Sequence, residues 1–418
     1  MRFAQDFFTG FTDDPAPGLC ETAGFLRRST SSWYSGRLDL GLQYAAAATA
    51  TPCHEPHEFC HLAQLWYVKL LTKARELEAG ALVLDGIDAR GGEDQSQRMS
   101  ALSHAARGEL LFAMGNVDDA IAETGVGLRL AERCGVRSMR PPSYVVMALG
   151  ALRRADMRAC LHFVDKLADE ALLGYGHAAG AWVTAHAMEA RSGVTTAAGL
   201  VAGIVTDPVV LRQLLVSEPA AASWLVRASL KLGERELART SVAAAADASV
   251  KHPHFSVIRA SALHAAGLLD GDVGALHEAA NIYPDRWCAA SAREDMADLL
   301  AKRLAERDRA IRLFESVLDT YNAVGATRDV SRVVNKLREL GVRRGVSRSV
   351  EREGCAQHGL TDAEFAVAEL VSQGYTNSEV GRQLFISQHT VAFHLKKVFQ
   401  KMSVASRVEL AAGWKVPA

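Results

Sequence analysis

From about residue 30 to residue 340 apolar residues recur at helical spacing, with no convincing strand alternation and few prolines. Gly- or Asp-containing turns interrupt that pattern roughly every fifteen to twenty residues. Helices so short cannot bury their apolar stripes alone, so they must pack against neighbours along the chain. Within Leu102 to Cys134, Gly108, Gly115, Ala120 and Gly127 supply the small side chains that let two helices touch closely. Related spacing returns at Gly233 and Ala238 and at Ala310 and Phe314, and only weakly around Arg154 and Ala159. The expected fold class is therefore all-α, with a helical-repeat solenoid body over residues 1–340.

The last sixty residues differ in kind. Thr361 with Glu364, and Thr376 with Glu379, have Ser/Thr-x-x-Glu capping-box spacing, Gly374 stands where a helix would stop, and Ser387 is an N-cap candidate for a third helix. In that third helix Val391, Leu395, Val398 and Met402 form one apolar stripe. The other face carries His389, Ala392, Phe393, Lys396, Lys397, Gln400 and Lys401, and no acid occurs from Ser387 to Lys401. A capped cationic helix that follows another by a tight turn suits a DNA major groove. The chain as a whole has a net charge of −1, so any attraction to DNA must be local.

This segment resembles the DNA-binding domain of LuxR-type transcriptional regulators. The likeness runs through Leu360-Thr361-x-x-Glu364, Gly374-x-x-Asn377, Val380-Gly381, Ser387-x-x-Thr390-Val391-x-x-His394, Lys401-Met402 and Val404-x-x-Arg407, without an insertion. Ala363 departs from the family's common Arg, and Gly381 weakens its helix by about 1 kcal/mol relative to Ala. The resemblance implies a four-helix helix-turn-helix domain over residues 356–418, joined by a basic linker at 341–355 that holds Arg343, Arg344, Arg348 and Arg352. It further implies that Ala392, Phe393 and Lys396 reach base edges. Thr390, His394, Lys397 and Lys401 would contact phosphates with Asn377 and Arg382, and Ser387 and His389 complete the DNA-facing set. Glu364 is expected as a cap and Arg407 in an intradomain ion pair. Val408, Leu410 and Ala411 are expected on the face that pairs two copies.

Residues 102–134 resemble a tetratricopeptide repeat, and Leu313 to Val342 resembles the last repeats of large MalT-like LuxR regulators. Those proteins also carry an ATPase with a Gly-x-x-x-x-Gly-Lys-Ser/Thr loop, and this sequence contains none. The expected partners are double-stranded promoter DNA, a second copy of the chain, RNA polymerase, and a small-molecule or protein effector on the body. The expected role is a cytoplasmic regulator, an activator by family resemblance, with nucleoid association when bound to DNA. It needs no cofactor and is not an enzyme. The alternative is a helical-repeat interaction adaptor with secondary DNA binding.

Seven scattered cysteines point to reduced thiols rather than a disulfide framework. An acid at Asp6, where a leader needs its apolar core, argues against a secretory start. The Gly/Ala-rich run from Ala171 to Met188, with two histidines, argues against a membrane span. His57-Glu58-x-x-His61 has the spacing of a zinc-protease helix. Pro56 starts the helix too late for that, and Gln64 and Tyr67 stand where a Gly and a third His would be needed. These residues are read as cap and surface positions, with a non-catalytic metal site at Cys53, His57, Cys60 and His61 as the alternative. Trp66, Trp182, Trp224 and Trp287 are read as helix-packing residues, and Lys251 to His254 as a turn.

Overall fold

The computed structural model of the chain describes residues 21–51, 58–88, 96–175, 178–342, 360–372, 374–384 and 388–414, and every regular element among them is helical. Two compact units divide between Val333 and Val334, seven residues before the expected end of the body. The arginines of the expected linker lie outside the described residues.

The body begins with α1 (Glu21–Tyr34), α2 (Leu38–Ala50), α3 (Glu58–Ala74), α4 (Leu77–Asp88), α5 (Gln97–Met114) and α6 (Val117–Cys134). It continues with α7 (Arg140–Arg153), α8 (Met157–Glu170), α9 (Ala178–Ser192), α10 (Ala198–Thr206), α11 (Pro208–Ser217) and α12 (Ala221–Lys231). It ends with α13 (Arg235–Lys251), α14 (Ser256–Asp270), α15 (Val273–Ile282), α16 (Arg286–Ala301), α17 (Arg307–Ala323) and α18 (Thr327–Glu339), the last of which runs across the division. Sequential helices pack as hairpins, and the odd-numbered ones also stack on each other from α1 through α13. Two registers of contact, to the next helix and to the next but one, make the row a helical-repeat solenoid.

The small residues read from sequence sit where two helices cross. A Cβ on Gly108 would lie 2.0 Å from the Thr124 hydroxyl, and one on Gly127 would lie 3.1 Å from both the Ala101 carbonyl and the Ala105 nitrogen. Ala120 is fully buried in the same contact. Gly115 closes α5 at φ +92, a conformation open to glycine at little cost, and its amide bonds back to Phe112. Ala238 and Ala310 have no exposure, and Phe314 has 1%. Gly127→Val should therefore destabilise the body by about 1–3 kcal/mol or more, because backbone atoms cannot yield as a side chain would. Gly203→Ala, in a helix with open space around the position, should be neutral or stabilising by up to about 1 kcal/mol. Urea titrations of the two variants measure the contrast, and equal midpoints would remove the close-contact reading.

Buried polar groups tie distant parts of the body together. Glu294 on α16 accepts from the Tyr321 hydroxyl at 2.8 Å and from Arg332 Nε and Nη2 at 2.7 and 2.6 Å. Asp329 takes the Trp287 indole N–H at 2.8 Å and Arg332 Nη1 at 2.5 Å. Asp295 accepts from Arg227 at 2.5 Å and pairs with the buried His264 at 2.7 Å. Burial opposes the charge on Asp295, but Arg227 and His264 outweigh it and hold the carboxyl below its usual range. Burial also holds His264 below the ordinary histidine value, against the pull of Asp295. Further apart in sequence, Lys73 on α3 meets Glu218 after α11 at 3.0 Å, and Arg75 meets Asp285 at 3.5 Å. The Arg153 guanidinium lies over the Phe112 ring at 4.0 Å and the Trp287 ring at 4.4 Å.

Trp66, Trp182, Trp224 and Trp287 are all buried, which agrees with a packing role. Lys251 ends α13, and His252 to Phe255 form the turn into α14, one residue later than the expected start. Residues 52–57 lie outside the described residues, and α3 begins at Glu58. No group of three or more His, Cys, Asp or Glu among the described residues is placed to hold a metal ion. No single helix among them is long and apolar enough to cross a membrane.

Candidate nucleic-acid interface

The second unit holds four short helices after the body: α19 (Asp362–Ser372), α20 (Asn377–Leu384), α21 (Gln388–Met402) and α22 (Arg407–Gly413). Both expected capping boxes form. The Thr361 amide donates to Glu364 at 2.9 Å, and the Thr376 amide donates to Glu379 at 2.8 Å. In each, the glutamate's own amide reaches back to the threonine hydroxyl at 3.4 Å. Gly374 ends α19 at φ +93, which supplies the turn into α20. A cap not foreseen from sequence starts α22, where Ser406 accepts from the Glu409 amide at 3.2 Å and Glu409 accepts from the Ala405 amide at 2.8 Å.

One small core holds these helices. Leu360, Phe365, Val367, Ala368, Val371, Val380, Val391, Leu395, Val398 and Leu410 are buried together, and Phe365 packs on Trp414 with ring centroids 5.1 Å apart. The stripe Val391, Leu395 and Val398 thus faces inward as its spacing requires, and Met402 is half-buried beside it. This fixes which face of α21 is left outside. Ala392, Phe393, Lys396, Lys397, Gln400 and Lys401 are exposed, with Phe393 at 56%. Thr390 and His394 are half-buried at its edge. Lys397 Nζ lies 4.5 Å from the centre of the Phe393 ring, a cation–π contact along the helix. A hollow of about 310 Å³ lined by Asn377, Ala392, Leu395, Lys396, Phe399 and Arg407 joins α20 to this face.

Several expected residues are placed differently from the sequence reading. Lys401 pairs with Glu364 at 2.6 Å, which anchors the end of α21 to the start of α19. Burial opposes the Glu364 charge, but Lys401 and the Thr361 donors hold its carboxyl below the usual range. Arg407 donates to the Asn377 side-chain oxygen at 2.9 Å and to the Tyr375 carbonyl, so its bonds among the described residues go to neutral acceptors. Leu410 was expected on a pairing surface, but it is fully buried in the domain core. The seven-residue α22 has only one apolar side to offer, and that side is needed to cover α19. Ala411 is exposed. Ser387 and the side chains of Arg382, His389 and Val408 lie outside the described residues.

Four helices closed on one core, the second leading directly into a third whose sequence holds no acid, define a helix-turn-helix of the DNA-binding class. Residues 358–412 match the family model described as bacterial regulatory proteins, luxR family. The C-terminal region is a LuxR-family DNA-binding domain. It is 45% identical over 51 residues to an HTH-type transcriptional regulator of Mycobacterium bovis, covering 12% of this chain and 6% of that protein. It is 32% identical over 74 residues to the HTH-type transcriptional regulator AlkS of Alcanivorax borkumensis, covering 18% and 8%. Against the nitrate/nitrite response regulator NarL of Escherichia coli the figures are 42% over 55 residues, 13% and 25%. The chain therefore spans a quarter or less of the length of these relatives. A Rap protein crystallised with competence and sporulation factor aligns with 77% of this chain and 99% of its own at 14% identity, with a TM-score of 0.47 that is too low to bear on function.

Proposed function

We propose that the chain is a sequence-specific transcriptional regulator that binds promoter DNA through α21, with the helical body governing when it does so. The observation that supports this most is the outer face of α21, where Lys396 and Lys397 stand among Ala392, Phe393 and Gln400 on a helix that contains no acid. Lys396 can donate to guanine O6 and N7, and Ala392 or Phe393 can pack on a thymine methyl. Lys397, with Thr390 and His394 at the edge of the face, suits phosphates. The NH₂ group of Asn377 is left for the same task, because its oxygen is engaged by Arg407. Lys401 is committed to Glu364, and in this reading it positions α21 rather than meeting DNA.

The protein acts as a homodimer on half-sites about one helical turn apart, with Ala411 at the pairing surface in place of Leu410. Activation of a particular operon or biosynthetic cluster, contact with RNA polymerase, an effector on the body and a cytoplasmic location complete the reading. Retardation of selected DNA sites by purified full-length protein tests it. Lys396→Ala should cost about 1–3 kcal/mol and relax preference at one base position. Lys397→Ala should weaken binding to all sequences alike and lower the log–log salt slope by about one. A selected-site motif unchanged by Lys396→Ala would remove the base-reading role, and a wild-type protein that shifts no DNA would favour an interaction adaptor.

A further inference from the structure

The body encloses a cavity of about 660 Å³, and every odd-numbered helix from α1 to α13 contributes to its wall. That volume is in the range of sites that bury a drug-sized molecule. One side is apolar and rigid. Trp66, Val145 and Leu149 line it at 2%, 5% and 6% exposure, beside Trp33 and Phe112. Trp66 is itself fixed by an indole bond to Ser29 at 2.8 Å. The other side is polar, with five cationic and three acidic residues in the lining, and Arg75 among the five is paired with Asp285 behind it. Lys69 and Lys73 are shared with Glu109 and Glu218, and Lys251 with Asp247. Arg212 is different. It is exposed, its Nε donates to the Pro208 carbonyl at 3.0 Å, and among the described residues it is in no ion pair. His252 also lines the cavity. It is 8% exposed, its Nδ1 has no hydrogen-bond partner among the described residues, and burial keeps it below the ordinary histidine value.

A hollow with aromatic walls and a surplus cation at one edge is built for a molecule that is itself two-sided. We propose that this cavity is a binding site for an elongated amphiphilic small molecule, its apolar body against Trp66, Phe112 and Leu149 and its anionic end at Arg212. The inference deepens the effector reading given above, and it rests on that reading only for its regulatory consequence. A molecule bound there sits among helices that are far apart in sequence, so occupancy stabilises the folded body by mass action.

The test uses full-length protein and two fluorescent probes of similar shape, anionic 1-anilinonaphthalene-8-sulfonate and neutral N-phenyl-1-naphthylamine. One saturable site per chain is expected, with quenching of tryptophan emission and tighter binding of the sulfonate. Arg212→Gln should weaken the sulfonate on the order of tenfold and leave the neutral probe unchanged. Val209→Trp, at an exposed lining position, should weaken both probes while circular dichroism stays native. Equal effects of Arg212→Gln on the two probes, or none, would overturn the anionic end. Undiminished binding of both probes to Val209→Trp would overturn the site itself. DNA retardation by the same preparations is read separately, so failure of the site and failure of DNA binding are distinguished.

Discussion

Leu395→Ala should abolish DNA retardation while leaving the melting transition of the helical body in place. Leu395 is 5% exposed in a core of ten buried side chains. Truncating such a leucine costs about 2–5 kcal/mol through lost transfer energy and the cavity left behind. A domain of this size has little in reserve, since a single small core supplies only about 3–5 kcal/mol of net stability. One truncation is therefore comparable with the whole stability of the unit, and most molecules should hold α21 unfolded at room temperature. Calorimetry of the full-length variant should retain the body transition and lose a smaller, separate one. Full retardation by Leu395→Ala would mean that α21 is not held by the core described here.

Glu294→Ala is the corresponding experiment in the body, with an expected loss of about 3–5 kcal/mol. The carboxylate is 3% exposed and accepts three hydrogen bonds, two of them from Arg332. Without it the Tyr321 hydroxyl, on a fully buried side chain, has no acceptor, and Arg332 keeps only Asp329. The effect comes mainly from Tyr321, whose hydroxyl stays buried, whereas the half-exposed Arg332 can regain water. The urea midpoint of the body should fall with the slope unchanged. DNA retardation by folded protein should be unaffected. A loss below about 1 kcal/mol would be the size of an exposed ion pair and would contradict the network.

The parts of this molecule that could be read from sequence are those whose partners lie close along the chain. The boxes at Thr361 and Thr376 join residues three apart, and Gly374 acts through its own φ, so type and spacing specify them. The stripe of Val391, Leu395 and Val398 settled the inner face of α21 and hence the outer one. Gly108 and Gly127 were legible for a related reason, since only the smallest residues survive at a helix crossing. The pairing of Lys401 was not legible because its partner, Glu364, is 37 residues away. Leu410 was misjudged because seven residues are too few for helical periodicity to set the phase. In the body, the cavity arises from side chains of seven helices that meet only in the fold, so no spacing along one of them announces it.

The bond between Lys73 and Glu218 joins residues 145 positions apart. On a ribosome working at roughly 5–20 residues per second, the lysine emerges about 7–30 s before its carboxylate exists. Arg75 waits longer still for Asp285. During that interval the early helices can form their local hairpins, and Lys73 has Glu109, 3.7 Å away in the finished fold, as its earlier partner. The ion pairs that join α3 and the turn after it to the far part of the body therefore wait on chain length, whereas the hairpins do not.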